Sequence, residues 1–302
     1  MCGCVAGLAT AGAGPADKAV PDPTPTLLGS ITWVDGSPEF GGISGLSLAD
    51  DGRTFLAVSD AGLLLQARLE RDADGVLMAV NLLAASRFKD NFGRPAEGFQ
   101  SDAEAIRAAP DGSLLVAFEG YARVARFTPP DMMPAPLHDW DRFRDLWGNQ
   151  GMEALATDDA GQILTILEEP QPDGAYRTLA YGGGKSWSEG ANLPSDGQFS
   201  ATDADFGPDG RLYVLERSFS VLWGYQTRIS AYARDGGAFA PPQILLLTGW
   251  GEWGDFEGMD VWTNPQGRTV ATLVADNNFL TLSPTTIAEF DLSARTGLSG
   301  DE

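Results

Sequence analysis

Carboxylates recur at matching places along this chain. Ser44-Gly45, Glu104-Ala105, Glu153-Ala154, Asp203-Ala204 and Glu257-Gly258 each set a polar residue before a small one. A turn glycine follows the polar residue after 8, 8, 8, 7 and 10 positions, at Gly52, Gly112, Gly161, Gly210 and Gly267. A second set lies shortly after each turn: Asp60, Glu119, Glu168-Glu169, Glu216 and Asp276. Carboxylates gathered in a poorly solvated place repel one another. They are tolerated when protonated, when basic groups interleave, or when they hold a cation. Oxygen-only donors favour a hard ion, Ca²⁺ first and Mg²⁺ or Mn²⁺ second. Glu104, Glu153, Asp203 and Glu257 are therefore the expected metal ligands and catalytic carboxylates, with Asp60, Asp276 and Asn277 as further oxygen ligands. Arg217 is the expected contact to an anionic substrate group. The alternatives are caps on strand starts or a solvated channel mouth for the acids, and a salt bridge to Glu216 or a neighbouring rim acid for Arg217.

The elements that position these residues follow from a repeat. Gly42 to Asp60 reads as an apolar strand, an Asp51-Gly52 turn and the strand Thr54 to Ser59. The pattern returns at Asp102 to Glu119, Gly151 to Glu169, Ala201 to Arg217 and Phe256 to Asn277. Glycine at each turn supplies the positive φ that tight hairpins need. Third strands follow at Leu64 to Glu70, Ala122 to Thr128, Tyr176 to Tyr181, Arg228 to Arg234 and Thr286 to Asp291, and fourth strands at Val76 to Leu83 and Gln243 to Leu247. The last repeat runs out at its third strand, and Leu27 to Val34 is a strand without a partner that can complete it. Closing a ring with both chain ends removes the exposed edge. The expectation is all-β: a single β-propeller of four-stranded antiparallel blades, five by count, with a sixth in Arg87 to Gln100 or Pro129 to Asn149 as the alternative. The inner strands would line a central channel and bring the first set of acids together. The second set is expected at the opposite end or on the adjoining rim.

Composition removes several classes of chemistry. Twenty Lys+Arg against 42 Asp+Glu give a net charge of −22, which disfavours nucleic acid and anionic membranes as partners. The only cysteines are Cys2 and Cys4, and the only histidine is His138, read as a surface residue of a Pro-rich loop. That rules out a thiolate nucleophile in the folded body and a multi-histidine metal centre. Residues 1–26 fit the remnant of an export leader and a Pro-rich linker, with a lipidated Cys4 as the alternative, and 27–302 form the propeller domain. The expectation is a periplasmic or secreted monomer without a membrane span. Gly182-Gly183-Gly184-Lys185-Ser186 lacks the first glycine and the helix of a phosphate loop. Trp250 and Trp253 flank Glu252 and suit either a binding rim or the core.

Taken in order, Gly41-Gly42-Ile43-Ser44-Gly45-Leu46, Val58-Ser59-Asp60, Asp102-Ala103-Glu104-Ala105-Ile106 and Asn149-Gln150-Gly151-Met152-Glu153-Ala154-Leu155 resemble the phytase-like family described as "esterase-like activity of phytase". Asp203, Val214-Leu215-Glu216-Arg217-Ser218-Phe219, Phe256-Glu257-Gly258-Met259 and Ala275-Asp276-Asn277-Asn278-Phe279 continue the resemblance. Ala105 and Ala154 depart from it where glycine is usual. The resemblance implies an exported propeller acting on phosphate or carboxylic esters. Three readings stay open: a Ca²⁺-dependent ester or phosphoester hydrolase of a small molecule, a non-catalytic binding propeller, and a sugar-lactone hydrolase of the gluconolactonase type.

Overall fold

The computed structural model describes residues 25–293 except 38, 110, 130, 138, 147–150, 183–185 and 278–283. His138, Asn278 and residues 1–24, most of the segment read above as leader and linker, lie outside the described residues. Strand β1 (Thr26–Trp33) precedes five hairpin repeats. The first blade is β2 (Ile43–Leu48), β3 (Thr54–Ser59), β4 (Leu63–Arg71) and β5 (Leu77–Arg87). The second is β6 (Ala103–Ala108), β7 (Leu114–Phe118), β8 (Arg123–Phe127) and β9 (Pro134–Pro136). The third is β10 (Met152–Thr157), β11 (Ile163–Leu167), β12 (Thr178–Tyr181) and β13 (Trp187–Glu189). In the fourth, β14 (Ser200–Phe206), β15 (Leu212–Ser220) and β16 (Gly224–Tyr232) are followed by a small ribbon, β17 (Arg234–Asp235) and β18 (Ala238–Phe239), before β19 (Gln243–Leu247). The fifth is β20 (Asp255–Thr263), β21 (Thr269–Asp276) and β22 (Thr285–Asp291), completed by β1. β1 pairs antiparallel with β22 from Thr26↔Asp291 to Trp33↔Thr285, so the two ends of the chain seal one blade. The inner strands touch in the cycle β2, β6, β10, β14, β20 and back to β2.

The ring has five blades. The segments considered for a sixth are connections: Lys89 and Pro95 form one isolated bridge, Gly98–Gln100 is a 3-10 turn, and Pro134–Pro136 is the last strand of the second blade. The turn glycines Gly52, Gly112, Gly161, Gly210 and Gly267 all take positive φ, between 64° and 78°. The third strand of the fourth blade differs from expectation. It starts at Gly224, four residues before Arg228, because it continues the hairpin with β15 as far as Ser220↔Gly224.

Each of the five apolar clusters is a wedge between successive blades. One joins Val58 of β3 to Ile106, Val116 and Phe127 of the next blade, around Phe88. Another joins Leu215 and Ile229 to Met259, Leu273 and Phe290. Trp253 packs on that second cluster, edge-on to Phe290, whereas Trp250 is exposed at the rim. Burying both faces of every blade against its neighbours is what holds the closed ring together. The inner strands approach closely at two glycines. A Cβ on Gly258 would lie 2.7 Å from Val274 Cγ1, 2.9 Å from the Leu46 nitrogen and 3.0 Å from the Gly45 carbonyl carbon. Backbone cannot swing aside, so Gly258→Ala is expected to destabilise by about 1–3 kcal/mol. An unchanged denaturant midpoint would show that the inner strands are looser than this.

Candidate functional site at the channel mouth

Every inner strand carries a β-bulge at the same place. The register shifts between Ile43 and Gly45, Ala103 and Ala105, Met152 and Ala154, Ala201 and Asp203, and Phe256 and Gly258. The extra residues are Ser44, Glu104, Glu153, Thr202 and Glu257. A bulge re-aims the inserted side chain, a recurrent device beside functional sites. Asp203 is therefore not the fourth blade's counterpart of Glu104 and Glu153. Thr202 is, and it stands eight residues before its turn glycine like Ser44, Glu104 and Glu153. Asp203 points instead to Arg107, whose Nη2 donates to its Oδ1 at 2.8 Å, while the Met259 N–H donates to its Oδ2 at 2.8 Å. Burial is the main cause that raises the Asp203 carboxyl, to about 7, and Arg107 opposes it.

The second set of acids lies at the same end of the channel, not the opposite one, because adjacent strands are antiparallel. Asp255 sits directly across from Asp276, and the Glu119 N–H donates to the Asp102 carbonyl at 3.0 Å. The equivalent positions are Asp60, Glu119, Glu168, Arg217 and Asp276. Arg217 takes the acid's place in the fourth blade, and Glu216 faces elsewhere. Arg228 Nη2 donates to Glu216 Oε1 at 2.7 Å, and the Tyr176 hydroxyl donates to the same oxygen at 2.8 Å, in a buried structural cluster. Spacing could have revealed this: fifteen residues separate Glu104 from Glu119, Glu153 from Glu168, and Thr202 from Arg217.

The mouth has two halves. In one, carboxylate oxygens of Asp102, Glu104 and Glu119 lie within 4.8 Å of one another. Burial, then Asp102, Glu119 and Asp60, push the Glu104 carboxyl up to about 8. Burial, then Asp276, raise Asp60 to about 6. Asp60 Oδ1 is buried with no hydrogen-bond partner. In the other half, Arg217 Nη1 donates to both oxygens of Asp255 at 3.0 Å and to Glu257 Oε1, and Nη2 reaches Glu168 Oε1 at 3.4 Å. Arg217 thus pairs with rim acids rather than with Glu216. Glu153 feels both halves: burial raises it well above the ordinary range, followed by Glu104, Glu168, Glu119 and Glu257. Beside Arg217 opens a cavity of about 420 Å³, bordered by Glu168, Glu257, Phe219 and Tyr225. Asp276 Oδ1 accepts the Ile43 N–H at 3.0 Å and Asn277 Oδ1 accepts the Gly42 N–H at 3.3 Å, so both tie the fifth blade to the first.

Of the residues singled out by sequence, Glu104, Glu153, Glu257, Asp60, Asp276 and Arg217 gather at the mouth, Asn277 caps backbone there, and Asp203 lies apart. Sequence reasoning missed Asp102 and Asp255, which precede the bulges by two residues, and the buried Arg107. Asp102, Glu104 and Glu119, with the orphaned oxygen of Asp60, fit a hard divalent cation. The donors are all oxygen, those of Asp102, Glu104 and Glu119 converge, and burial raises all three carboxyls, a cost that a bound cation would relieve.

No curated protein matches the chain. Among solved structures, it is similar to a gluconolactonase from Xanthomonas campestris, with 12% identity over 86% of this chain and 89% of that one and a TM-score of 0.49. It is similar to the PQQ-bound aldose sugar dehydrogenase of Streptomyces coelicolor, with 14% identity, coverages of 87% and 97%, and a TM-score of 0.45. A protein of unknown function from Dyadobacter fermentans shows 15% identity, 85% coverage of both chains and a TM-score of 0.46. The sequence profile of the phytase-like family, "Esterase-like activity of phytase", matches residues 38–279, the whole ring apart from its closing strands, and the chain belongs to that family.

Proposed function

We propose that the chain is an exported, divalent-cation-dependent hydrolase of a small ester, working at the carboxylate-lined end of the channel. The observation that carries this is the convergence of Asp102, Glu104 and Glu119 within 4.8 Å, beside an arginine that borders an open cavity. Asp102, Glu104, Glu119 and Asp60 would hold the ion, with Ca²⁺ favoured by the all-oxygen donors. A bound cation would supply Lewis-acid polarisation and a lower pKa for water. Arg217 remains charged across the working range, because its carboxylate neighbours outweigh the effect of burial. Its guanidinium can stabilise an oxyanion developing in the cavity. Glu153 lies between the two halves, and its raised pKa lets it keep a proton for a departing alkoxide. A polyanion such as phytate meets a wall of like charge, so a singly charged or neutral ester is the better substrate. Residues 1–26 would act as leader and linker, and the working form as a monomer. Among the described residues no helix is long and apolar enough to cross a membrane.

The test is a panel of p-nitrophenyl acetate, p-nitrophenyl phosphate, phytate and gluconolactone, each with Ca²⁺ or EDTA. EDTA-sensitive turnover of the acetate is expected to exceed that of phytate, and Glu104→Gln is expected to lower kcat/KM by roughly 10- to 100-fold. No turnover of any substrate with metal present would leave a binding propeller. Rapid lactone opening alone would make it a lactonase.

A further inference from the structure

The β15–β16 hairpin rises beyond its blade and ends in side chains that nothing covers. Phe219 is 59% exposed, Val221 90%, Leu222 84% and Trp223 67%. The ten residues from Ser218 to Thr227 carry no charge, in a chain where 21% of residues do. An apolar run of this kind on an acidic protein is not needed for solubility or packing, and contiguous exposed apolar surface marks a binding surface. The tip is also held in place. Its strands stay in register to Ser220↔Gly224, the Gly251 N–H donates to the Tyr225 carbonyl at 2.8 Å, and the Phe219 and Tyr225 rings lie 4.8 Å apart. A preformed apolar surface loses little freedom when it binds.

Its position identifies the occupant. Phe219 and Tyr225 border the same cavity as Arg217, Glu168 and Glu257. Tyr225 lies close enough to Asp255, which Arg217 also holds, for that carboxylate to raise its phenol after burial, so the ring sits at the polar half of the mouth. We propose that Phe219 and Tyr225, the aromatic side of an otherwise polar cavity, form the wall that takes a large apolar acyl or aryl group of the ester, with Val221, Leu222 and Trp223 at the hairpin tip outside the cavity extending the apolar surface. The substrate class is then an ester with one sizeable apolar part and little negative charge. The inference rests on the ester reading above and narrows it.

The experiment compares p-nitrophenyl acetate, butyrate and octanoate on the Ca²⁺-loaded full chain, with equilibrium binding of acetanilide and butyranilide measured in parallel. Specificity is expected to rise roughly three- to fourfold per methylene that reaches the wall. Phe219→Ala and Leu222→Ser each replace an exposed side chain and should fold. They are expected to lower the octanoate-to-acetate ratio about tenfold through KM, and Phe219→Ala to weaken butyranilide. Phe92→Ala, a still more exposed phenylalanine outside the mouth, should leave the ratio unchanged. Turnover with a flat chain-length profile in all variants would overturn the inference and spare the hydrolase. No turnover, with butyranilide binding that depends on Phe219, would overturn the hydrolase and support the wall. Absence of both selectivity and anilide binding would overturn the wall. Tip-dependent adsorption to phosphatidylcholine vesicles with unaltered ester selectivity would also overturn it, and would make the hairpin a membrane dock.

Discussion

Arg107→Met is expected to destabilise the propeller by about 3–5 kcal/mol, seen as a fall in Tm of roughly 10 °C. Arg107 is the fifth of the six residues of β6 and is almost wholly buried. Its guanidinium plugs the channel. Nη1 donates to the carbonyls of Leu46 and Ile106 at 2.6 Å, Nε to that of Ala204 at 3.1 Å, and Nη2 to those of Ala204 and Met259 and to Asp203 Oδ1. One side chain thus joins four of the five inner strands. Methionine fills much of the volume but leaves those carbonyls without a donor and Asp203 without its counter-charge. Asp205 and Asp260 make the loss worse, because burial already raises both carboxyls and Arg107 is what opposes it. Adding Asp203→Asn to Arg107→Met should restore part of the loss. A Tm within about 3 °C of the parent would show that the plug is not what holds the inner strands together.

The second large effect is a pH-dependent response to calcium. Glu104 moves from 4.5 in the unfolded chain to about 8 in the folded one, and Asp60 from 3.8 to about 6. Burial and neighbouring carboxylates shift Glu153 and Glu257 the same way. A raised carboxyl means that the folded state binds more protons, so the stability these groups contribute is fully present below about pH 4 and is lost as pH rises toward 8. Glu104 alone corresponds to a loss on the order of 4 kcal/mol across that window. Carboxyls held low by hydrogen bonds, such as those of Asp51 and Asp209, finish titrating below the window and do not offset it. A divalent cation takes the place of the protons. At about a hundredfold excess over its Kd it restores roughly 2.7 kcal/mol. Millimolar Ca²⁺ should therefore raise Tm by several degrees at pH 8 and by almost nothing at pH 5, and EDTA should reverse the gain. Glu104→Gln should abolish the calcium response and flatten the pH slope of the cation-free protein. Identical melting curves at pH 8 with Ca²⁺ and with EDTA would remove the metal from this account.

The ring, its five blades and its closure could be read from the chain because they depend on short-range signals. A glycine at each hairpin tip must take positive φ, and the apolar runs on either side must pair. Strand limits were legible for the same reason: Thr54–Ser59 and Gln243–Leu247 are the strands expected, and Thr285–Asp291 differs by one residue. Glu104, Glu153 and Glu257 could be placed at one end because the same repeat carries them.

What the chain did not reveal depends on single-residue register and on contacts across the ring. Side chains in a strand alternate faces, so one inserted residue per inner strand decides which neighbour looks into the mouth. That insertion turned Asp203 toward Arg107 and put Thr202 in its place, and it made Arg217, not Glu216, the fourth blade's rim residue. Arg107 carries no local mark of its role, since the carbonyls it joins are 61, 97 and 152 residues away. Turn chemistry and apolar alternation act within a few residues, so the kind of fold and its acidic end are written in the chain. Only the closed ring decided which acids share a cation-sized space and which share an arginine, because burial and the distances between blades set those charges.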